Sequence, residues 1–250
     1  SATRTLTAGY FMEYPEDIQL FGLSFSSNFS GVAISGEVSH KLDVPMQISG
    51  SLATGATLAN GVAGATANAG TTAAYTEYFG SAGKGDHIKA YRLFNVSQAQ
   101  VTLVNLWNQS AGASAVSVVA EVGASYIHGL DDVFRYGRSS TYGAAKFDGS
   151  DDGFVTQSSW GYRARMSATY NNLFVGIDVI PTVSWSHDVK GYAASPGGAF
   201  GEGQQTLGVS VDAIYLSMYR TTLAYQQFMG GDYNAVSDRD FVSVSIDVQF

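Results

Sequence analysis

Hydrophobic and polar residues alternate at period two along most of this chain, and the last stretch shows it best. From Asp240 to Phe250, Val242, Val244, Ile246, Val248 and Phe250 fall on one face, and Phe241, Ser243, Ser245, Asp247 and Gln249 fall on the other. Side chains repeat every two residues along a strand and every 3.6 along a helix, so alternation of this length predicts a β-strand. Arg4 to Tyr14 carries the same signature through Leu6, Ala8, Tyr10, Met12 and Tyr14, with Phe11 out of phase. Ile18 to Asn28 follows, with Phe21, Leu23 and Phe25 opposing Gly22, Ser24 and Ser26, and then Val32 to Lys41. The turn signals Tyr14-Pro15-Glu16-Asp17 and Asn28-Phe29-Ser30-Gly31 join these three into a predicted meander.

Farther on, His87 to Asn108 is extended, as one long strand or as two broken near Asn95 to Gln98. Val104 and Leu106 there blur the phase set by Val101, Leu103 and Trp107. Ala115 to His128 and Trp160 to Tyr170 alternate cleanly. Asn171-Asn172 reads as a two-residue hairpin turn. Beyond it Leu173, Val175, Ile177, Val179, Val183 and Trp185 share a face, and Pro181, which cannot donate a ladder bond, predicts a bulge. Leu207 to Asp212 and Tyr219 to Gln226 flank a tight turn near Ile214. The long interruption is Leu42 to Asp86, rich in Ala, Gly and Thr. Structureless loops beyond about 15 residues are uncommon in compact domains. This segment is therefore expected to fold into the interior with a short helix, the alternative being a long flexible surface loop.

Composition narrows the class. Charged residues make up 14% of the chain, against Tyr 15, Phe 14 and Gly 29; an average soluble domain is about a quarter charged. No run approaches the roughly 18 apolar residues that a membrane helix needs. A charge-poor, aromatic-rich chain without such runs fits a transmembrane β-barrel. The net charge of −8 argues against a nucleic-acid partner. The lack of Cys excludes disulfides, thiolate metal sites and Cys nucleophiles. Ser1-Ala2-Thr3-Arg4 is not a signal peptide, so a leader is expected to have been removed, or the chain to be a piece of a longer protein.

Charges sit in mid-strand on the polar faces: Glu37, Glu121, Arg163, Arg165, Asp178, Asp212, Arg220 and Asp247. A soluble sandwich would turn them to water and a barrel would turn them to its lumen. Three features favour the barrel. Short connections alternate with long ones, as periplasmic turns alternate with outer loops. The apolar faces are almost free of charge, as burial in hydrocarbon requires. Aromatics sit at strand ends: Tyr126, Trp160, Tyr162, Trp185 and Tyr225 toward the long-loop rim, and Trp107, Tyr170, Tyr215 and Phe250 toward the short-turn rim. Trp160 and Tyr170 lie ten residues apart, which at the strand rise is roughly 33 Å, or about 25 Å of height once tilted. The expected fold is all-β, a transmembrane antiparallel meander β-barrel of about 10–12 strands. It forms a single unit over 1–250 or the carboxy-terminal part of a larger barrel in a bacterial outer membrane.

Candidate chemistry is sparse. Arg163, Arg165 and Arg220 are expected either to pair with Asp178 and Asp212 or to form a basic constriction that orients anionic or amphipathic solutes. Asp148, Ser150 and Asp152, followed by Gly153, begin like a calcium loop, but position 12 is Ser159 where a Glu is expected. His128 with Asp131, or His187 with Asp188, could serve as a general base pair, but no Ser sits in a nucleophile motif such as Gly-x-Ser-x-Gly, so an enzyme is not expected. No other cofactor is implied.

Several segments taken together resemble a proteobacterial outer-membrane family of unknown function. They are residues 14–25, Gly36-Glu37-Val38-Ser39, Tyr91-Arg92 with Asn95-Val96-Ser97-Gln98, residues 123–128, residues 186–192, and residues 238–243. The resemblance runs the length of this chain but covers only the carboxy-terminal half of that family's members. It implies a barrel encoded beside outer-membrane lipoprotein-like proteins and RND-type exporters, in some cases within clusters for catabolism of hydrophobic compounds. It carries no catalytic residues. The resulting expectation is a channel or facilitator for small hydrophobic or amphipathic molecules; the alternative is a non-transporting scaffold whose outer loops bind a partner. Expected partners are membrane lipids, lipopolysaccharide, the barrel-assembly machinery, and a periplasmic lipoprotein or RND exporter.

Overall fold

The computed structural model describes residues 11–50, 78, 86–137, 153–194 and 200–249. They form one nine-stranded antiparallel sheet in strict sequence order: β1 (Gln19–Phe29), β2 (Val32–Gln47), β3 (Tyr91–Ser110), β4 (Ala113–His128), β5 (Ser158–Phe174), β6 (Ile177–Lys190), β7 (Gln205–Tyr215), β8 (Tyr219–Met229) and β9 (Phe241–Val248). The strands are nine among the described residues, not the ten to twelve expected, and the sheet is not closed into a barrel. In a nine-strand meander the edge strands β1 and β9 run in the same direction, so they cannot pair antiparallel with each other.

Short connections all fall at one end. Ser30 and Gly31 (φ 50° and 84°) and Ala111 and Gly112 (φ 52° and 74°) form two-residue turns with both central residues left-handed. That geometry matches the right-handed strand twist. Leu216–Met218 joins β7 to β8, with Leu216 and Ser217 also at positive φ. The long connections all lie at the other end, between β2 and β3, β4 and β5, β6 and β7, and β8 and β9.

The structure moves several boundaries. Residues 11–18 form no strand, and the rest of the strand expected from Arg4 to Tyr14 lies outside the described residues. Glu13 instead accepts a 2.8 Å hydrogen bond from the Tyr91 hydroxyl, and Phe11 stacks on His87. β2 runs on to Gln47, into the segment expected to be a loop from Leu42, because a bulge between Lys41 and Val44 shifts the pairing. Asp43 (φ 56°) sits in that bulge and donates its N–H to Asn95 Oδ1. The remainder of the Leu42 to Asp86 segment lies largely outside the described residues. His87 to Asn108 resolves into one strand starting at Tyr91.

The β5–β6 turn is at Val175–Gly176, not at Asn171-Asn172. Residues 171–173 are a bulge opposite Asp178, whose carboxylate accepts the Asn172 N–H at 2.7 Å. Pro181 makes no bulge: it keeps register with Val211, and the second β5–β6 irregularity lies at Trp160/Gly161.

The ladders sort the paired strand residues onto two faces. One carries Phe21, Leu23, Phe25, Val38, Val101, Leu103, Val122, Met166, Val183, Val209, Leu223, Val242, Val244 and Ile246. Among the described residues no Asp, Glu or Arg occupies a paired position on this face, and Lys190, opposite Trp160 at the long-loop end, is its one Lys. Leu23 is 82% exposed, Val244 65% and Ile246 71%. Nothing among the described residues forms a second layer over it.

The buried core lies on the opposite face, at the long-loop end. Met46, Phe94, Val96 and Ile127 point there from β2, β3 and β4, and Ile48, Phe134, Tyr136, Phe154 and Val155 from the connections close over them. Tyr136 and Ile48 are the largest fully buried side chains.

Candidate functional site

The polar face is where chemistry can occur, and the ladder sets the order of its charges. Glu37 pairs across from Gln100, Glu121 from Arg163, Asp212 from Thr222, and Arg220 from Asp247. Arg165 follows Arg163 on the same face, opposite Val119 and Ser184, and Asp178 lies near the short turns.

Facing positions did not become ion pairs. Glu121 accepts a hydrogen bond from the Thr102 hydroxyl at 3.1 Å, Asp212 accepts one from the Thr222 hydroxyl, and Asp178 serves the Asn172 turn. Arg163, Arg165 and Arg220 have no carboxylate within ion-pair distance among the described residues. The expected pairing of arginines with Asp178 and Asp212 is thus not formed. The reason is local: Glu121, Asp212 and Asp178 each have a neutral donor on the adjacent strand, while a guanidinium at the end of a long, exposed side chain gains little from an ion pair.

Arg163 and Arg165 border a depression of about 650 Å³ that also takes in Glu121, Ser184, Ser186, Thr206, Gln226 and Phe228. Gln204 and Val236 reach it from the long connections. One rung closer to the long-loop end, Gly123 and Gly161 pair on the same face, and Phe200 lies over them. A Cβ at Gly161 would stand 2.7 Å from the His187 carbonyl oxygen and 3.1 Å from the Phe200 ring. Glycine is required there by that close approach.

The long connections lock to one another at this end. Ile48 bridges Tyr136, Val155 N–H bonds the Tyr136 carbonyl, and Thr156 N–H bonds the Tyr192 carbonyl. Tyr192 meets the Tyr233 ring edge-on, and Gln204 Nε2 donates to the Tyr233 carbonyl. Arg92 donates to Asp131 at 2.8 Å and lies over the Phe134 ring. Tyr136 donates its hydroxyl to the same carboxylate at 3.1 Å. Burial, reinforced by the Asp131 charge, holds the Tyr136 phenol far above its ordinary range. All four connections thus contribute to one cap, a feature that sequence reasoning missed. Phe134, Tyr136, Phe154 and Val155, apolar residues within a polar loop, were its signal.

The aromatics expected at the rims take the apolar face: Trp107, Tyr170 and Tyr215 nearer the short turns, and Tyr126, Trp160, Tyr162, Trp185 and Tyr225 nearer the long connections. Trp185 Nε1 donates to the Tyr162 hydroxyl at 3.3 Å. Phe250 lies outside the described residues, as do Asp148, Ser150 and Asp152 of the calcium candidate.

Neither His–Asp pair forms. Asp131 serves Arg92 and Tyr136. His187 and Asp188 point to opposite faces of β6, and Asp188 accepts the Gly201 N–H. A different cluster appears on the apolar face, where the Ser97 hydroxyl lies 2.9 Å from His40 Nδ1 and 2.8 Å from His128 Nε2. One hydroxyl proton serves one ring, so the other ring must donate. Its members are 57 and 31 residues apart, and no sequence pattern announces it.

No curated protein and no solved structure matches the chain. A family model described as "Protein of unknown function (DUF1302)" matches residues 1–250, and the chain belongs to that family.

Proposed function

We propose that this sheet is part of the wall of a transmembrane β-barrel in a bacterial outer membrane, and that the barrel is a channel or facilitator for small hydrophobic or amphipathic molecules. The observation that carries the reading is the largely apolar face, which runs across nine strands without a paired Asp, Glu or Arg among the described residues. Soluble monomers rarely expose contiguous apolar patches above a few hundred Å², and an intramembrane charge is costly. A soluble sandwich would need a second sheet over this face. No helix among the described residues is long and apolar enough to cross a membrane, so any crossing falls to the strands. Because β1 and β9 run in the same direction, an antiparallel wall closes through an odd number of further strands from outside the described residues. Lipid and lipopolysaccharide would cover the apolar face, the barrel-assembly machinery would insert it, and a periplasmic lipoprotein or exporter would meet the short-turn end.

The cap supports a second reading, a non-transporting scaffold whose connections bind a partner. Its buried cluster covers the inner face of β2, β3 and β4. Planar-bilayer recording separates the two. The channel reading predicts unitary conductance steps for the intact protein, and larger steps for Phe134→Ala/Phe154→Ala, which loosens the cap. Silence from both proteins would leave the scaffold.

A further inference from the structure

We propose that Arg163 and Arg165 bind the anionic head of an amphipathic solute, a carboxylate, while the apolar residues at the rim of the same depression take its tail. This deepens the channel reading and rests on it for the direction in which the solute moves. Four observations carry it.

The first is that the two guanidiniums are unpaired among the described residues, although Glu121 stands directly across from Arg163. Glu121 is held by Thr102 instead. An arginine fork offers parallel N–H donors that match a carboxylate or phosphate oxygen pair, and two forks on one face of one strand can share a single head.

The second is the company they keep. Ser184, Ser186, Thr206 and Gln226 line the depression with neutral donors and acceptors, which can complete the hydrogen bonding of an anion without neutralising the arginines. The lining also holds two carboxylates, Glu121, which accepts from the Thr102 hydroxyl, and Asp188, whose Oδ2 accepts the Gly201 N–H.

The third is polarity by position. Phe228 and Val236 lie at the long-connection side and Val119 beside Arg165, so an alkyl or ring-bearing tail has apolar surface next to the head site. The space of about 650 Å³ falls within the range of small-molecule sites.

The fourth is that the site is bounded on its long-connection side. Phe200 lies on the Gly123–Gly161 rung just above Arg163 and Glu121, and the backbone approach at Gly161 fixes that rung. In a chain of net charge −8, two adjacent cations without ion-pair partners form a local focus for an anion.

The test is calorimetric titration of the purified full-length protein in nonionic detergent with hexanoate, hexanol and hexyl phosphate, using empty micelles as the blank. These three probes share a tail and differ in head. The proposal expects saturable hexanoate binding, at least about tenfold weaker hexanol binding, and loss of hexanoate binding in Arg163→Ala/Arg165→Ala. The variant Arg163→Lys/Arg165→Lys, which keeps the charge without the fork, should retain only part of the affinity. Tighter hexyl phosphate than hexanoate binding would overturn the carboxylate assignment in favour of a phosphate head. Equal hexanoate affinity in wild type and in the folded Ala variant would overturn the site. Bilayer recording keeps the two claims apart. A conducting protein with unchanged hexanoate affinity in the Ala variant defeats this site and leaves the channel. A silent protein that binds hexanoate through the arginines defeats the channel and leaves the site.

Discussion

Gly161 shows how little freedom single positions have on the polar face. A methyl group there would press on the His187 carbonyl oxygen, a backbone atom that cannot swing away, and on Phe200. Overpacking of this kind costs about 1–3 kcal/mol, so Gly161→Ala should lower the temperature at which the folded band is lost on unheated gels. Gly123→Ala, whose Cβ would sit at an ordinary 3.4 Å from Phe200, should lower it much less. Equal losses would place the constraint elsewhere. Tyr136 makes a pH-dependent contribution. Its phenol is buried against Asp131 and held far above its ordinary range, so the folded cap favours the neutral form. That contribution is fully present below the unfolded value of about 10 and is lost as pH rises above it. Limited proteolysis of the 129–137 connection should therefore accelerate above about pH 10. Tyr136→Phe should cost about 1 kcal/mol at neutral pH and remove part of the alkaline acceleration. None of this was legible in the sequence, because Tyr136, Asp131 and Arg92 meet only through the fold.

At the scale of elements, the strands were legible wherever alternation kept its phase. β4 and β9 were read to within three residues at each end, as one polar and one apolar face dictate. Reading failed where a bulge changed the phase. After Lys41 the inner positions pass from odd to even numbers, so Val44 and Met46 face inward and their strand looked like a loop. The three residues 171–173, opposite the single Asp178, likewise disguised where β5 ends. Val104 and Leu106 blurred β3 because they are apolar residues on the inner face, facing Val119 and Ser117. The two faces make opposite predictions for one substitution. Val244→Lys, at mid-strand on the apolar face of β9, should destabilise the protein in lipid vesicles by about 2–4 kcal/mol, read by denaturant titration. Ser243→Lys, its neighbour on the inner face, should change stability by well under 1 kcal/mol. Equal costs would mean that the apolar face does not meet hydrocarbon.

For the molecule as a whole, the sheet carries two unlike faces, and the unpaired arginines and the cap both lie on the polar one. The candidate charges were legible as a set because they recur on the polar phase of successive strands. Their failure to pair was not, since Glu121, Asp178 and Asp212 each found a neutral donor that only the register brings close. The proposed function depends on the apolar face being the lipid face of a transmembrane wall. The chain has no cysteine, so each introduced one is unique within these 250 residues. The direct test places a spin label in turn at each position from 241 to 248 of the protein in lipid vesicles and measures collisions with oxygen and with a water-soluble nickel complex. A lipid-facing apolar face gives a period of two, with oxygen favoured at Val242, Val244, Ile246 and Val248 and nickel favoured at Phe241, Ser243, Ser245 and Asp247. Nickel access at both sets, or oxygen and nickel access without that period, would contradict it.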